Sequence, residues 1–289
     1  IYMFDVRIIS TGSEGNCVVI DESLMIDAGL TKKKIVDSGY DLSHLQRLLI
    51  SHKHADHTNL PFIRWAIKQK VQVHLPSDVI DKLVNDGKID VNDYLNDNLH
   101  IHTNDYQFQT ELTYDYDNEL VETVEISMHP QKHYDIVNYA FVVQKPKPQV
   151  GNKPIEMERL LYSTDLDTIG PTDVGPGLVA LGMFDTIILE GNFDEVWLRD
   201  YINLSITSID PDIDASQLSD SELDIWVRDN YRQLPKRVAA GLFRAVQNMR
   251  HLSKQQARLY ASQHLKPNGR YFEVHRSSLF YERPDDWTI

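Results

Sequence analysis

The segment Leu48–Leu60 reads LLISHKHADHTNL. Its apolar start predicts a buried strand, and the polar residues after it predict a turn. Three imidazoles and one carboxylate lie close together in this turn: His52, His54, Asp56 and His57. Imidazole nitrogen and carboxylate oxygen are the ligands that zinc and similar divalent ions take, and burying four such groups unpaired would be costly. The segment therefore predicts a metal site at the end of a strand.

The composition is that of a globular protein with a sizeable core. Of the 289 residues, 42% are hydrophobic and 25% are charged. The sequence has no apolar run of about 18 residues and no basic-then-apolar signal pattern at its start, so we expect no membrane segment. Cys17 is the only cysteine, which excludes an intrachain disulfide and fits a reducing compartment. We therefore expect a soluble, cytoplasmic protein.

The formal net charge of −14 bears on the choice of substrate. Overall attraction cannot hold a nucleic acid on so acidic a chain. Bound divalent metal ions would offset only a few of these charges, and only locally. Lys236, Arg237 and Arg244 could still line a local basic groove. The charge therefore weakens the case for DNA or RNA and leaves room for a small nucleotide.

Further candidate site residues lie at the ends of predicted apolar strands. They are Asp165 after Leu160–Ser163, Glu190 after Thr186–Leu189, and His275 after Arg270–Val274. A carboxylate in such a position is either a site residue or the cap of the following turn. Asp27 also ends a short apolar strand, and it is either a turn residue or a hydrogen-bond partner for a metal-bound imidazole.

Residues 201–230 differ from the rest of the chain. Seven carboxylates lie between Asp210 and Asp229, against the single basic residue Arg228. We interpret this segment as an acidic, partly helical insertion in one domain that spans residues 1–289. A solvated surface is the simpler interpretation of its charge, and a lid or a homodimer contact is the alternative.

The order of apolar, polar and turn-forming residues also predicts secondary structure around these candidates. The chain from Leu99 to Val143 has the alternation and polar turns of consecutive antiparallel strands. Near the C-terminus, Pro235–Met249 has a helical pattern. Ser253 and Gln256 form an S-x-x-Q capping box for a helix that runs to His264. Asn268-Gly269 is expected to end that helix.

The motif His52-x-His54-x-Asp56-His57 after an apolar strand resembles the signature of the metallo-β-lactamase fold superfamily. His133, Asp165 and His275 follow in the order typical of that family. The resemblance implies an α/β (α+β) fold, a four-layer αββα sandwich, over almost the whole chain. Within the superfamily, three further segments resemble the phosphodiesterase branch, which includes tRNase Z and the YycJ-type DNA exonucleases. These segments are Ser10–Cys17, Leu189–Asn192 and His251–Ser253.

This resemblance also implies a site with two divalent metal ions, zinc or manganese. It assigns His52, His54 and His133 to one ion, Asp56, His57 and His275 to the other, and Asp165 to both. His129 competes with His133, because the fourth motif departs here from the family's usual His-Asp; the spacing to Tyr139 favours His133. Asp56 would also orient the attacking water and accept a proton from it. His251, held by Glu190, would be the general acid or a donor to the negative charge that develops on the phosphorane.

The implied activity is hydrolysis of a phosphodiester bond in DNA, RNA or a nucleotide, by a hydroxide that two metal ions share. One alternative is a phosphodiesterase of small cyclic nucleotides, as in phage proteins that share this site plan. Others are a hydrolase of a thioester, lactone or lactam, and a metal-bearing scaffold without catalysis. His251 beside Glu190 favours phosphate esters, because hydrolysis of those carbonyl compounds has less need of a further histidine. A tRNA substrate is disfavoured, because the sequence has no counterpart of the long arm of some tRNase Z enzymes.

Overall fold

The computed structural model describes residues 3–87, 97–102, 106–115, 120–134, 136–147, 155–230, 232–233 and 251–276. Within these ranges, twelve strands form two six-stranded sheets. The first sheet consists, in spatial order, of β1 (Val6–Ser10), β2 (Cys17–Ile20), β3 (Leu24–Ile26), β4 (Arg47–Leu49), β5 (Gln72–Pro76) and β6 (Leu99–His102). The second consists of β12 (Leu265–Val274), β11 (Phe184–Glu190), β10 (Met157–Ser163), β9 (Ile136–Pro146), β8 (Leu120–His133) and β7 (Tyr106–Asp115).

Six α-helices lie in the same described ranges. They are α1 (Lys32–Asp37), α2 (Leu60–Lys68), α3 (Ser77–Asn85), α4 (Glu195–Ile209), α5 (Asp220–Asn230) and α6 (Lys254–His264). Short 3-10 helices span Leu42–His44, Leu178–Ala180 and Ala215–Gln217. Among the described helices, none is long and apolar enough to cross a membrane.

Alternating side chains on the central strands produce four layers. Leu48 of β4 packs with α1, α2 and α3 on the outside of the first sheet, whereas its neighbour Leu49 packs between the sheets. In the same way Leu161 of β10 packs with α6, and Tyr162 packs between the sheets. This two-residue period is that of a strand buried on both faces. The expected four-layer αββα sandwich is therefore confirmed.

Both sheets mix antiparallel and parallel pairing. In the first sheet β1, β2 and β3 are antiparallel, and β3 to β6 are parallel. In the second sheet β7 to β10 are antiparallel, and β10, β11 and β12 are parallel. The expectation of consecutive antiparallel strands from Leu99 to Val143 is thus correct from β7 to β9 and wrong for β6. That strand completes the parallel part of the first sheet, so the chain changes sheets after it.

The expected capping box at α6 is present in both directions. Ser253 Oγ accepts from the Gln256 backbone N–H at 3.1 Å, and Gln256 Oε1 accepts from the Ser253 N–H at 3.0 Å. The prediction that Asn268-Gly269 ends this helix is wrong, because α6 stops at His264 and β12 begins at once. Asn268 has φ 65° inside β12, where the register against β11 shifts, so the pair forms an irregularity in a strand. The predicted helix Pro235–Met249 lies outside the described residues.

The acidic segment begins earlier than expected and has an apolar side. Helix α4 starts at Glu195, before the predicted start at Tyr201. The buried apolar residues of α4, α5 and the turn between them form, with Phe193 just before α4, a cluster separate from the three clusters of the sandwich: Phe193, Trp197, Leu198, Ile202, Ile206, Ala215 and Leu223. Asp212, Asp214 and Glu222 are exposed. The segment is therefore a small helical unit with an acidic surface.

Gly29 lies where the turn after β3 meets the histidine-rich turn after β4. A Cβ at Gly29 would lie 1.8 Å from the Asp56 carbonyl oxygen and 2.9 Å from the Asn16 backbone nitrogen. Gly29→Ala should therefore displace the histidine-rich turn and cost at least about 2 kcal/mol. For a chain of this size, such a loss lowers the melting temperature by roughly 4 °C or more.

Gly170→Ala is the matched control for thermal denaturation. A Cβ at Gly170 would meet only the Thr168 hydroxyl oxygen, at 3.6 Å, which is an ordinary contact. This variant should melt within about 1 °C of the wild type. Equal melting temperatures for the two variants would show that the contact at Gly29 does not hold the turn in place.

Candidate active site

The candidate residues meet at one edge of the two sheets. Strands β10, β11 and β12 are parallel, so their carboxyl ends lie side by side and bring Asp165, Glu190 and His275 together. His133 is the last residue of β8, which runs in the same direction. The turn after β4 supplies the remaining histidines from the first sheet. The site therefore lies between the sheets, at the ends of their parallel strands.

Two groups of side chains there have donor atoms that all lie within 4.8 Å of one another. The first group is His52, His54, His133 and Asp165, and the second is Asp56, His57, Asp165 and His275. These groups contain all seven residues that the sequence suggests as metal ligands. Asp165 belongs to both, because its Oδ2 lies 3.2 Å from His52 Nε2 and 2.8 Å from His57 Nε2. Neither group includes His129, whose Nε2 lies 2.9 Å from Ser127 Oγ.

The donor set fits divalent metal ions. Imidazole nitrogens and carboxylate oxygens together suit zinc or manganese. His133 is 2% exposed, and its Nδ1 has no hydrogen-bond partner within the part of the chain that the structure describes. Seven ligand residues also exceed what one four-coordinate ion uses. The chemistry of these residues is therefore compatible with one ion in each group.

Asp27 orients one of these imidazoles. Its Oδ2 lies 2.7 Å from His57 Nδ1 and accepts a hydrogen bond from the Tyr162 hydroxyl at 2.8 Å. Its Oδ1 accepts hydrogen bonds from the backbone N–H and the hydroxyl of Ser51, both at 2.8 Å. With Nδ1 engaged in this way, His57 presents Nε2 to Asp165. Asp27 is thus both a turn residue, with φ 59°, and a partner of a site imidazole.

Burial and neighbouring charges shift the pKa values of the site residues in opposite directions. Burial would raise the pKa of the Asp165 carboxyl, but His275 and His57 hold this pKa well below its ordinary value. Burial and nearby His57 lower the pKa of His52 to about 4. His275 is equally buried, yet Asp165 and Asp56 raise its pKa to about 10. A metal ion would therefore compete with protons for some of these ligands and find others already neutral.

Glu190 and His251 form a pair beside the two groups. Glu190 is 0% exposed, and its Oε1 accepts from the backbone N–H groups of Leu166 at 2.6 Å and Leu252 at 3.1 Å. Its Oε2 lies 2.9 Å from His251 Nδ1. These two residues also form a third group of donor atoms with Asp165 and His275. Because both oxygens of Glu190 already have partners, its carboxylate is placed to orient His251 and leave Nε2 for other contacts.

Two residues that hold the site in place, Asp167 and Asn192, are not among the candidates from the sequence. Asp167 accepts the Tyr134 backbone N–H with both oxygens, at 3.1 and 3.0 Å, and so fixes the turn directly after His133. The Asn192 side-chain amide donates to the His275 carbonyl at 2.8 Å. The available signals were the spacing of Asp167 two residues after Asp165, and the position of Asn192 in the Leu-Glu-x-Asn segment.

Comparison with known proteins identifies the family. The model of the beta-lactamase superfamily domain matches residues 20–218, which is more than half of the chain. The chain therefore belongs to the beta-lactamase superfamily. Among solved structures it is similar to the metallo-beta-lactamase fold protein YhfI from Bacillus subtilis, with 15% sequence identity, a TM-score of 0.39, and coverage of 65% of this chain and 70% of that chain. A search of curated proteins found no match.

The family and the site together support a general class of function. The superfamily fold suggests a metal-dependent hydrolase, and the clusters of histidine and aspartate suggest that it binds divalent metal. Neither observation identifies the metal, the number of ions or the substrate.

Substitution of His133 and of His129 tests which of these two histidines is a metal ligand. His133→Ala should lose about one metal ion per chain, because it removes a donor from the first group. His129→Ala should keep the wild-type metal content. Elemental analysis of both proteins after identical zinc loading and desalting gives the comparison. Loss of metal from His129→Ala with full retention by His133→Ala would reverse the assignment.

Removal of the Asp27 carboxylate should weaken metal binding without removing a ligand. Partners of metal-bound imidazoles typically contribute 10–100-fold to affinity, so Asp27→Ala should raise the dissociation constant for zinc by about that factor. Asp21→Ala is the control, since Asp21 is a buried aspartate that pairs with Lys145 at 3.1 Å, at the end of β2 away from the site. Competition with a chelating dye measures both constants, and an equal change in both variants would remove the special role of Asp27.

Proposed function

We propose that the protein is a dinuclear-metal-dependent hydrolase that cleaves a phosphodiester bond in a nucleic acid or a nucleotide. The observation that carries this proposal is the Glu190–His251 pair beside the two ligand groups. His251 Nδ1 lies 2.9 Å from Glu190 Oε2 and 3.1 Å from Asp165 Oδ1. A histidine that is oriented beside the site, but is not needed for either ligand group, suits donation of a proton to a leaving oxygen.

Seven side chains would hold the two ions, zinc or manganese. They are His52, His54 and His133 for one ion, Asp56, His57 and His275 for the other, and Asp165 for both. When bound, two such ions supply positive charge for the phosphate oxygens and lower the pKa of a water molecule to about 7.

Two residues of the chain, Asp56 and His251, would act on the attacking water and on the leaving group. Asp56 is partly exposed, and its Oδ2 lies 3.4 Å from His275 Nε2, so it can accept a hydrogen bond from the water and orient it. A new P–O bond forms from the water oxygen while the bond to the leaving oxygen breaks, and Asp56 accepts the proton that the water loses. His251 Nε2 donates a proton to that leaving oxygen, and solvent restores the proton.

The protonation of His251 agrees with this role. Burial alone would lower the pKa of His251, but the adjacent carboxylates of Glu190 and Asp165 raise it above its ordinary value. Imidazolium is the form that can donate a proton. Glu190 therefore both orients the ring and favours its acidic form.

A substrate panel tests the class of reaction. It contains single- and double-stranded DNA, RNA, cyclic mono- and dinucleotides, bis-p-nitrophenyl phosphate and a thioester, each with zinc, with manganese and with EDTA. We expect at least one phosphodiester to be cleaved with metal and not with EDTA. If the thioester is cleaved and every phosphodiester is untouched, the protein is a carbonyl hydrolase of the same fold. If the carefully purified protein contains no more than trace metal, neither the phosphodiesterase nor the carbonyl hydrolase interpretation holds.

Two variants test the mechanism on the best natural phosphodiester of the panel. His251→Ala should lower kcat by about 10²–10⁴-fold, because general acid catalysis contributes that much, and should keep its metal. His264→Ala is the control, since His264 lies at the end of α6 and stacks on Tyr260. Full activity of His251→Ala, or of Asp56→Asn, would contradict the proposed roles.

A further inference from the structure

The chain segments that carry Glu190 and His251 run side by side beyond the site. The Asn192 N–H donates to the Leu252 carbonyl at 2.9 Å, and the Lys254 N–H donates to the Phe193 carbonyl at 2.7 Å. Phe193 and Ser253 form a parallel bridge between these bonds. Residues 192–193, shortly after Glu190, thus pair with residues 252–254, directly after His251, in a short parallel ladder. We call residues 192–195 and 251–256 the junction.

At the junction, Asp194 links the starts of two helices. Its Oδ1 caps α4 by accepting from the backbone N–H groups of Val196 at 3.0 Å and Trp197 at 3.2 Å. The same oxygen accepts from the Gln255 side-chain amide at 3.0 Å, and Oδ2 accepts from Lys254 Nζ at 3.2 Å. Gln255 and Lys254 belong to the first turn of α6. One carboxylate therefore fixes the first turns of both helices.

The link is reciprocal. Gln255 Oε1 accepts from the Glu195 backbone N–H at 3.1 Å, so α6 also satisfies a first-turn donor of α4. The Ser253 hydroxyl, which caps α6, donates to the Glu195 carboxylate. Ser253 is 0% exposed. The contacts between the helices are therefore polar and directional, which sets relative position more sharply than apolar packing does.

The rest of the acidic unit does not share a core with the sandwich. Its apolar cluster is separate from the three clusters that contain the sheets, α1, α2, α3 and α6. The polar contacts of the junction therefore connect the start of α4 to the segment that carries His251.

We propose that Asp194 is a positioning residue for proton donation: through Gln255 and Lys254 it fixes the start of α6 and thereby holds His251 against Glu190. This inference rests on the proposed function of His251 as the general acid. It connects the start of α4 to the position of His251, although none of the described residues of the acidic unit belongs to a ligand group.

Kinetics with two leaving groups tests this role. The substrates are the p-nitrophenyl and phenyl diesters of thymidine 5′-phosphate, with zinc or manganese. The p-nitrophenolate leaves with little help from an acid, whereas phenolate needs protonation more. Asp194→Ala should lower kcat for the phenyl ester by about 10–100-fold, the effect of a small misplacement, and for the p-nitrophenyl ester by at most a few-fold. KM and metal content should stay unchanged.

Two further variants separate positioning from general loss of structure. Asp194→Asn keeps an acceptor for the cap and for Gln255, so it should restore most of the phenyl-ester activity. Asp214→Ala removes a similar cap inside the acidic unit, where Asp214 Oδ1 accepts from the Ser216 N–H at 3.1 Å, and should behave as the wild type. Equal losses on both esters in Asp194→Ala, or the same split in Asp214→Ala, would overturn the proposal.

Hydrogen exchange makes the test independent of turnover. The amides of Leu252 and Lys254 donate to Glu190 and Phe193, so both should exchange at least ten-fold faster in Asp194→Ala than in Asp214→Ala. Unchanged exchange in Asp194→Ala would overturn the positioning role. If the wild type cleaves neither these esters nor any phosphodiester of the panel, the proposed function fails, while the exchange rates still decide whether Asp194 fixes the His251 segment.

Discussion

The Asp165 carboxylate is the anion around which the site is built. It is 1% exposed, and a nitrogen of each of four histidines lies within 3.2 Å of its oxygens: His52, His57, His251 and His275. A buried charge without partners would cost several kcal/mol. These four residues come from both sheets and from the start of α6. The need to compensate one carboxylate therefore holds separate parts of the sandwich together at one point.

Residues at the strand ends around the site share an unusual backbone conformation. Asp27, Tyr134, Asp165 and His275 all have φ between 55° and 59°, each within two residues of the end of a strand. Residues other than glycine adopt this left-handed backbone conformation at a cost in free energy. Such residues cluster at functional sites, where the surrounding structure enforces the conformation. Neighbouring hydrogen bonds hold this conformation in place, for example the one that the Tyr134 backbone N–H donates to the Asp167 carboxylate. Local backbone strain therefore occurs where the donor atoms of the site come together.

Several features of the fold and of the candidate site have a local signal that can be read from the sequence. The histidine-rich turn, the polar residues after apolar strands and the Ser253 capping box all depend on neighbours in the chain. Tyr162 as a partner of Asp27 could not be predicted, because that contact depends on how two sheets face each other. Asn268-Gly269 was misassigned because a left-handed Asn-Gly pair ends helices and also kinks strands. The start of α4 was missed because Asp194 caps it outside the acidic run.

The acidic surface bears differently on small and polymeric substrates. At physiological ionic strength, exposed charges are largely screened beyond about 8 Å, so a nucleotide held within the site interacts mainly with the local imidazoles and any bound metal. A polymer that extends over α4 and α5 would meet exposed carboxylates, such as Asp212 and Glu222, at close range. Nucleic-acid binding depends on neutralising phosphates with basic side chains, and an acidic surface does the opposite. Under the proposed reaction, the helical unit therefore disfavours long nucleic acid on its own side of the site while its junction supports the chemistry.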